Sequence, residues 1–565
     1  MPLAPLRRRG APPPVPVGLR AGRRRRARAH ARASASRTAA VEGADSGACE
    51  EFTACPRCKG WGERAARTPG ARAPCGRCGG RGVVPGAPPA PRAGAGTVGV
   101  VGAGIGGCAL ALALRQRGVR CELLERDESF DARRAGYGFT LQQANSTLRA
   151  LGIDSALLGV PTGAHYTHEA RTGRVVGAYG HAIASRGGIA SGGDSDCEHG
   201  RRKRRPRRNN LHLPRQTLRW ELLARLDAGA VRWGAALESF EEVGESVVVR
   251  LADGSERAYA CLVGADGIRS PVRAQLDTRA SRAISGGLRY LGCVVLLGIT
   301  ELHHPWVEER RVWQSIDARE GDGAGDGNSR AVRLFAMPFD EAGRYMWQLS
   351  FAMEEDEAQA LAQVRDAEGI QRLKRVAVDA VAGWHDPVPA MVAATPCELV
   401  SAYPAYDRPV AEPGDLRSRE DSRVTVLGDA AHPVRVQLRV CSSVRTAASV
   451  LRSHAPGLTP APSCELVQMS MFKGQGANCA LADAVALARR LSATPELSVS
   501  GGGRLASVGA ALAEFESEML ARTSSKVRLS HEAVELLHSR RALAEGDCTR
   551  RTAAAVASAD GPRGS

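Results

Sequence analysis

Nothing in this chain of 565 residues reaches the roughly 18 uninterrupted apolar residues that a membrane-spanning helix needs. A soluble protein without a transmembrane anchor is expected. The first forty residues hold eleven arginines and no aspartate or glutamate. No apolar run follows this basic start, so it does not resemble a secretory signal. A segment rich in Arg, Ala and Ser and free of acids has the composition of an organellar transit peptide. Residues 1–45 are therefore expected to be a disordered targeting segment, with chloroplast (plastid) favoured over mitochondrion. The plainer reading is a basic tail with no address. A broad basic face is missing too. The formal charge of +17 is concentrated in that segment and in the run Arg201-Arg202-Lys203-Arg204-Arg205-Pro206-Arg207-Arg208. Without the two, the rest of the chain is close to neutral, so no nucleic-acid partner is expected. The basic run lies in the loop-like stretch Gly187 to Asn210 and is read as a solvated loop.

The chain does contain fifteen cysteines. Most stand singly among apolar neighbours, as do Cys108, Cys121, Cys261 and Cys293, and are expected to be buried thiols in a reducing compartment. Four differ. Residues 55–62 read Cys-Pro-Arg-Cys-Lys-Gly-Trp-Gly, and residues 75–82 read Cys-Gly-Arg-Cys-Gly-Gly-Arg-Gly. Two thiolates three residues apart can grip one metal from a tight turn that glycine permits. Cys55, Cys58, Cys75 and Cys78 thus make a candidate closed, structural zinc site in a module spanning 46–82. A redox dithiol and an unstructured remnant are the rival readings. The repeated unit resembles the cysteine-rich zinc domain of DnaJ-type chaperones, with two copies of the repeat in place of four. That resemblance implies one zinc and leaves room for a protein partner of the module. A Pro/Gly/Ala linker follows over 83–96.

From Thr97 a β-branched strand leads into Gly102-Ala103-Gly104-Ile105-Gly106-Gly107, then an Ala/Leu-rich helix, then a second strand ending at Glu125. Gly102 allows the sharp turn, Gly104 lets a pyrophosphate approach the backbone, and Gly107 lets helix and strand pack closely. The helix N-terminus offers free N–H groups to phosphate. Glu125 is placed for the ribose hydroxyls, with Arg126 beside it at the adenosine end. An acid at that position favours FAD or NAD over a 2′-phosphorylated dinucleotide.

Three further segments follow. They are Gly264-Ala-Asp266-Gly267-Ile-Arg-Ser-Pro-Val-Arg273, Val424-Thr-Val-Leu-Gly-Asp429-Ala-Ala-His432-Pro433, and Phe472-Lys-Gly474-Gln-Gly476-Ala477-Asn478. In this order after the glycine turn they resemble the FAD-dependent aromatic hydroxylases of the para-hydroxybenzoate hydroxylase type, over about 400 residues. The resemblance implies an α/β protein of residues 97–495. In it a Rossmann-type FAD-binding domain carries an inserted β-sheet substrate domain at about 285–400, and the small zinc-knuckle module precedes it. Residues 496–565 are left as C-terminal helices and tail. Asp429 would bind the ribityl hydroxyls. Asp266 and Gly267 would lie near the pyrophosphate, and Arg215 would contact FAD. The N–H groups from Gly474 to Asn478 would face the pyrimidine side of the flavin, and His432 and Pro433 would sit beside its ring as the catalytic candidates. No second glycine fingerprint occurs, which fits an enzyme that meets NAD(P)H only transiently. The resemblance then implies that NAD(P)H reduces FAD, O2 adds to it, and the flavin hydroperoxide gives one oxygen to a small, aromatic or polycyclic substrate. NADH and NADPH are equally open. Trp347, Gln348 and Phe351, on one expected strand, are candidates to face either pocket or core. An oxidase or reductase on the same fold is a second enzyme reading; the Trp-x-Trp-x-Ile-Pro signature of flavin halogenases is absent. In a different class, the zinc module serves as a chaperone-like or interaction unit and the flavin domain is degenerate.

One stretch breaks the pattern. Val434 to Gln468 separates His432-Pro433 from Phe472-Lys473, which the family places a few residues apart. It has no clear periodicity, and its ends, Val-Arg and Gln, can be encoded by codons starting GT and ending AG. It is read as a retained intron or gene-model error. If it is genuine, it is a lid or a lesion at the flavin. Transcript sequencing is expected to find spliced messages lacking it; messages that uniformly contain it would exclude an intron.

Overall fold

The computed structural model describes residues 50–66, 72–132, 137–141, 145–155, 158–161, 164–179, 210–279, 288–318, 331–407, 411, 414–417, 419, 421–432, 476–497, 505–538 and 540–543. The expected targeting segment, the basic run, the Val434–Gln468 stretch, Pro433 and Gly474 lie outside these residues.

Val98–Val101 is buried along its whole length, as a central parallel strand must be. It pairs in parallel with Cys121–Leu124 on one side and Cys261–Gly264 on the other. Val231–Arg232 and Val424–Val426 complete a five-stranded parallel sheet in the order 231–232, 121–124, 98–101, 261–264, 424–426. The helix Ile105–Arg115 makes the first crossover and buries ten of its residues, Ile105 to Leu114. The strand order reverses between 98–101 and 261–264. In open α/β sheets the crevice beyond the carboxyl ends of such a strand pair is where ligands bind.

The second layer is a seven-stranded sheet in the order 175–179, 165–169, 312–317, 332–338, 344–352, 289–301, 400–407. Its pairings are antiparallel except that of 312–317 with 165–169. Two of its strands, His165–Glu169 and Val175–Tyr179, precede the range 285–400 expected from sequence. Their local pattern carries no sign of the distant strand to which they pair.

Strand alternation gives this sheet two buried faces. Trp313, Leu334, Tyr345, Trp347 and Leu349 pack with Ala358, Leu373, Met391 and Val392 from the helices Glu355–Gln363, Ala367–Ala380 and Val388–Ala394. The Trp347 indole also donates to Thr395 Oγ1 at 2.8 Å. The opposite face gathers Cys293, Val295, Leu297 and Ile316 around Tyr137 and Tyr403. Trp347 is thus helix-side core. Gln348, paired with Leu297 and Phe335, takes the other face.

The cysteine module is built from two hairpin-like pairs, 52–54 with 83–85 and 63–65 with 72–74. Val83–Pro85, assigned from sequence to the linker, is the strand that closes the module. The cysteines Cys108, Cys261 and Cys293 are buried as expected while Cys121 is half-buried, and burial pushes the Cys108 and Cys293 thiols up to about 12. No helix among the described residues is long and apolar enough to cross a membrane.

Trp347→Ala is expected to cost about 3–5 kcal/mol, because the helices cannot close over the space it leaves. Urea denaturation measures this; a loss below about 1 kcal/mol would show that Trp347 does not anchor the layer.

Candidate active site

The glycine turn is set by sterics. Gly102 has φ 102°, and a Cβ there would meet Ala265 O at 2.7 Å. A Cβ on Gly107 would lie 1.9 Å from Gly102 O. Gly104 is different: a Cβ there would meet nothing within 4 Å. It is the N-cap of the helix and, lacking a side chain, leaves the N–H groups of the first turn uncapped. This is a cradle for an anion at the crevice of the sheet. Around it the backbone is braced by side chains. Glu125 Oε2 accepts from Ala103 N at 2.8 Å and Oε1 from Asp127 N at 3.1 Å. Arg219 donates to Ala103 O at 2.7 Å. Glu125 therefore holds the turn as well as standing at its edge, and Arg126 beside it is exposed.

Asp266 lies two residues beyond the neighbouring strand Cys261–Gly264. Its Oδ2 accepts from Val272 N at 3.3 Å, while Oδ1 is buried without a partner. Burial raises its pKa to about 6, against the lowering effect of Ser270, backbone N–H groups and Arg126. Gly267 follows with φ 83°. Asp429 sits in the single 3-10 turn Gly428–Ala430 after the strand Val424–Val426, and a Cβ on Gly476 would lie 3.1 Å from its Oδ1. The helix Gly476–Leu491 thus starts against Asp429. Asn478 in its first turn donates to Thr140 O at 2.9 Å. Arg215, at the start of the helix Arg215–Leu223, donates to the Tyr137 hydroxyl at 3.2 Å, and the Asp429 charge acts on it. The tertiary fold so brings Gly102, Gly104, Gly107, Glu125, Asp266, Asp429, Gly476, Ala477, Asn478 and Arg215 to one end of the parallel sheet.

His432 is placed otherwise than a free acid or base would be. It is buried, and its Nε2 lies 2.6 Å from Asp483 Oδ2. The same carboxylate accepts from Gly428 N at 3.1 Å and, through Oδ1, from Arg522 Nη2 at 2.6 Å. Burial opposes charge on both partners, but each holds the other ionised, so the His432 pKa is raised and that of Asp483 lowered. Asp483, Arg522, Arg219 and Tyr137 were not singled out from sequence. Asp483 carried one signal, an acid inside the otherwise apolar run Cys479 to Ala488.

The four module cysteines converge. Their sulfurs all lie within 4.8 Å of one another, and all four residues are buried. Cys58 and Cys78 Sγ are 3.8 Å apart, close to the spacing of about 3.8 Å for thiolates on a tetrahedral zinc with Zn–S about 2.3 Å. Gly62 N and Gly82 N each donate to a sulfur at 3.2 Å, to Cys58 and Cys78 respectively. The donor set, its geometry and its N–H···S bonds suit a closed zinc site.

A family model described as an FAD binding domain matches residues 96–437, more than half of the chain. The chain belongs to this family. Over 342 residues it is 28% identical to aurachin C monooxygenase/isomerase of Stigmatella aurantiaca, covering 60% of this chain and 74% of the relative. It is 25% identical to 6-hydroxynicotinate 3-monooxygenase of Pseudomonas fluorescens, over 60% of this chain and 76% of the relative. It is 26% identical to chloroplastic zeaxanthin epoxidase of Nicotiana plumbaginifolia, over 60% of this chain but only 45% of that protein. The solved structure of 2,6-dihydroxypyridine-3-hydroxylase from Arthrobacter nicotinovorans shares the fold, with TM-score 0.55 and 16% identity over 79% of this chain and 93% of that one. The protein is an FAD-dependent monooxygenase, an oxidoreductase. The glycine cradle, the orphaned Asp266 oxygen and the helix start at Asp429 fit that cofactor.

The ion pair gives a pH test. Asp483, with its lowered pKa, stabilises the fold above about pH 4 and loses that contribution as pH falls. His432, with its raised pKa, contributes fully below about pH 6.5 and loses it as pH rises through the folded value. Maximal support thus falls between the two. Asp483→Asn is expected to lower stability by about 3–5 kcal/mol and to flatten the dependence of Tm on pH. A variant that keeps the wild-type Tm–pH profile would show that the pair is not the titrating element.

Proposed function

We propose that this chain is an NAD(P)H-using monooxygenase that inserts one oxygen atom into a small aromatic or polycyclic molecule. The observation that carries the reading is the sheet face opposite Trp347. It presents Leu297, Phe335 and Gln348 toward Tyr137 and Tyr403, next to Arg215 and hence to the Asp429 end of the cofactor cradle. Apolar and aromatic walls with few polar groups suit a flat organic ligand. The monooxygenase relatives support the same class. Gln348 Oε1 is buried with no hydrogen-bond partner, and a substrate N–H or O–H would satisfy it.

FAD, when bound, supplies the redox and oxygen-activating chemistry. The protein's share is to bind, orient and exclude water. In this reading Gly102, Gly104 and Gly107 admit the pyrophosphate, with Asp266 and Gly267 beside it and Glu125 and Arg126 at the adenosine end. Asp429 takes the ribityl hydroxyls. The helix start at Gly476, Ala477 and Asn478, with Gly474 before it, offers N–H groups and positive dipole to the flavin ring. Arg215 bridges cofactor and substrate side. His432 positions Asp429 through Gly428 and Asp483, with Pro433 next to it, and needs no acid–base role. Cys55, Cys58, Cys75 and Cys78 hold one structural zinc. The arginine-rich, acid-free start and the chloroplastic relative support a plastid location.

Purified protein is expected to be yellow and to release FAD on denaturation. An NAD(P)H oxidation screen with aromatic candidates, read by mass spectrometry, should find a product heavier by one oxygen. A protein that neither carries nor takes up flavin would overturn the proposal. With a turned-over substrate, Gln348→Leu is expected to raise KM roughly tenfold; an unchanged KM would remove Gln348 from the pocket.

A further inference from the structure

The cysteine module does not hang from a tether. It is docked on the ends of the two helices whose other ends form the flavin cradle. Ala54 N donates to Gln116 O at 2.9 Å, just past the helix Ile105–Arg115, and Glu51 pairs with Arg115 at 2.8 Å. The Phe52 ring occupies the space a side chain on Gly152 would need. Trp61, in the first knuckle, lies under Arg490, near the end of the helix Gly476–Leu491.

At the centre of this contact is Arg117, only 4% exposed. Its guanidinium donates to Ala113 O at 2.7 Å and to Gly60 O, in the first knuckle, at 3.2 Å. Its Nε has no partner. No carboxylate pairs with it among the described residues. Arg489 is close by and half-buried, with an unpartnered Nε, and Glu518, Glu63 and Cys58 all act electrostatically on it; Cys58 acts on Arg117 as well. A buried cation without an acid is costly unless an anion offsets it. Arg117 also sits where a helix C-terminus adds partial negative charge, which compensates it only in part. Neutral thiols or a disulfide would leave it unbalanced. Four thiolates around one Zn2+ carry a net charge of −2, which offsets the Arg117 guanidinium.

We propose that Cys55, Cys58, Cys75 and Cys78 bind zinc as a tetrathiolate dianion, that Arg117 is its buried counter-ion, and that zinc loading therefore clamps the far ends of both flavin-cradle helices and strengthens FAD binding. The proposal rests on the FAD and zinc readings above. By linkage the coupling is reciprocal: FAD must tighten zinc by the same factor that zinc tightens FAD.

The test uses the full chain. Zinc content is measured by elemental mass spectrometry, and FAD affinity by flavin fluorescence, before and after chelation and after zinc is returned. Zinc affinity is titrated with and without FAD. One zinc per chain is expected, with FAD binding weakened roughly 5- to 150-fold by its removal and restored by its return. Arg117→Met is expected to weaken zinc retention while leaving the stoichiometry at one, and Cys58→Ser should reproduce the chelated state. A chain that binds FAD but takes up no zinc overturns the metal site. One that binds zinc but never FAD overturns the flavin reading beneath it. One that binds both, each indifferent to the other, overturns the coupling, as does an Arg117→Met protein with wild-type zinc affinity.

Discussion

The molecule depends on how closely one helix approaches one strand. At Gly107 there is no room for a single carbon beyond the backbone, because Gly102 O already fills the position. That approach points the first-turn N–H groups of Ile105–Arg115 at the crevice of the parallel sheet. Positive dipole, free donors and open space at Gly104 then coincide, and a phosphate-bearing cofactor is the ligand this combination suits. Glu125 and Arg219 spend their polar atoms holding the turn, so the cradle exists before the ligand arrives.

The second helix of the cradle, Gly476–Leu491, is held by a different kind of bond. Its Asp483 reaches back to Gly428 N and His432 and outward to Arg522 on the long C-terminal helix. One buried carboxylate thus ties the loop that carries Asp429 to two helices. A carboxylate so deep persists only because every charge it meets is opposite. The seven-stranded sheet, covered on one face by the helices that pack on Trp347, sets Tyr403 of its other face beside Tyr137, which bonds Arg215. The cysteine module grips the same two helices at their opposite ends.

Much of this was legible in the order of residues. The glycine spacing, the strand–helix–strand start and the three later motifs point to an FAD domain, and the family match agrees. The four cysteines were readable from their doubled spacing. What was not legible was long-range. Strands 165–169 and 175–179 show no local mark of joining a sheet most of whose strands follow more than a hundred residues later. His432 could be named but not its partner, since its pairing with Asp483 is a fact of packing between segments far apart in the chain.

By itself the sequence determined the chemistry of each part, because turns, metal knuckles and helix starts depend on residues a few positions apart. Only the tertiary structure decided how the parts act on one another. It joined His432 to Asp483 in a buried ion pair, sorted Trp347 and Gln348 to opposite faces of one strand, and set Arg117 against the first cysteine knuckle. Charge balance in a low-dielectric interior is a property of neighbours in space, and no local spacing encodes it.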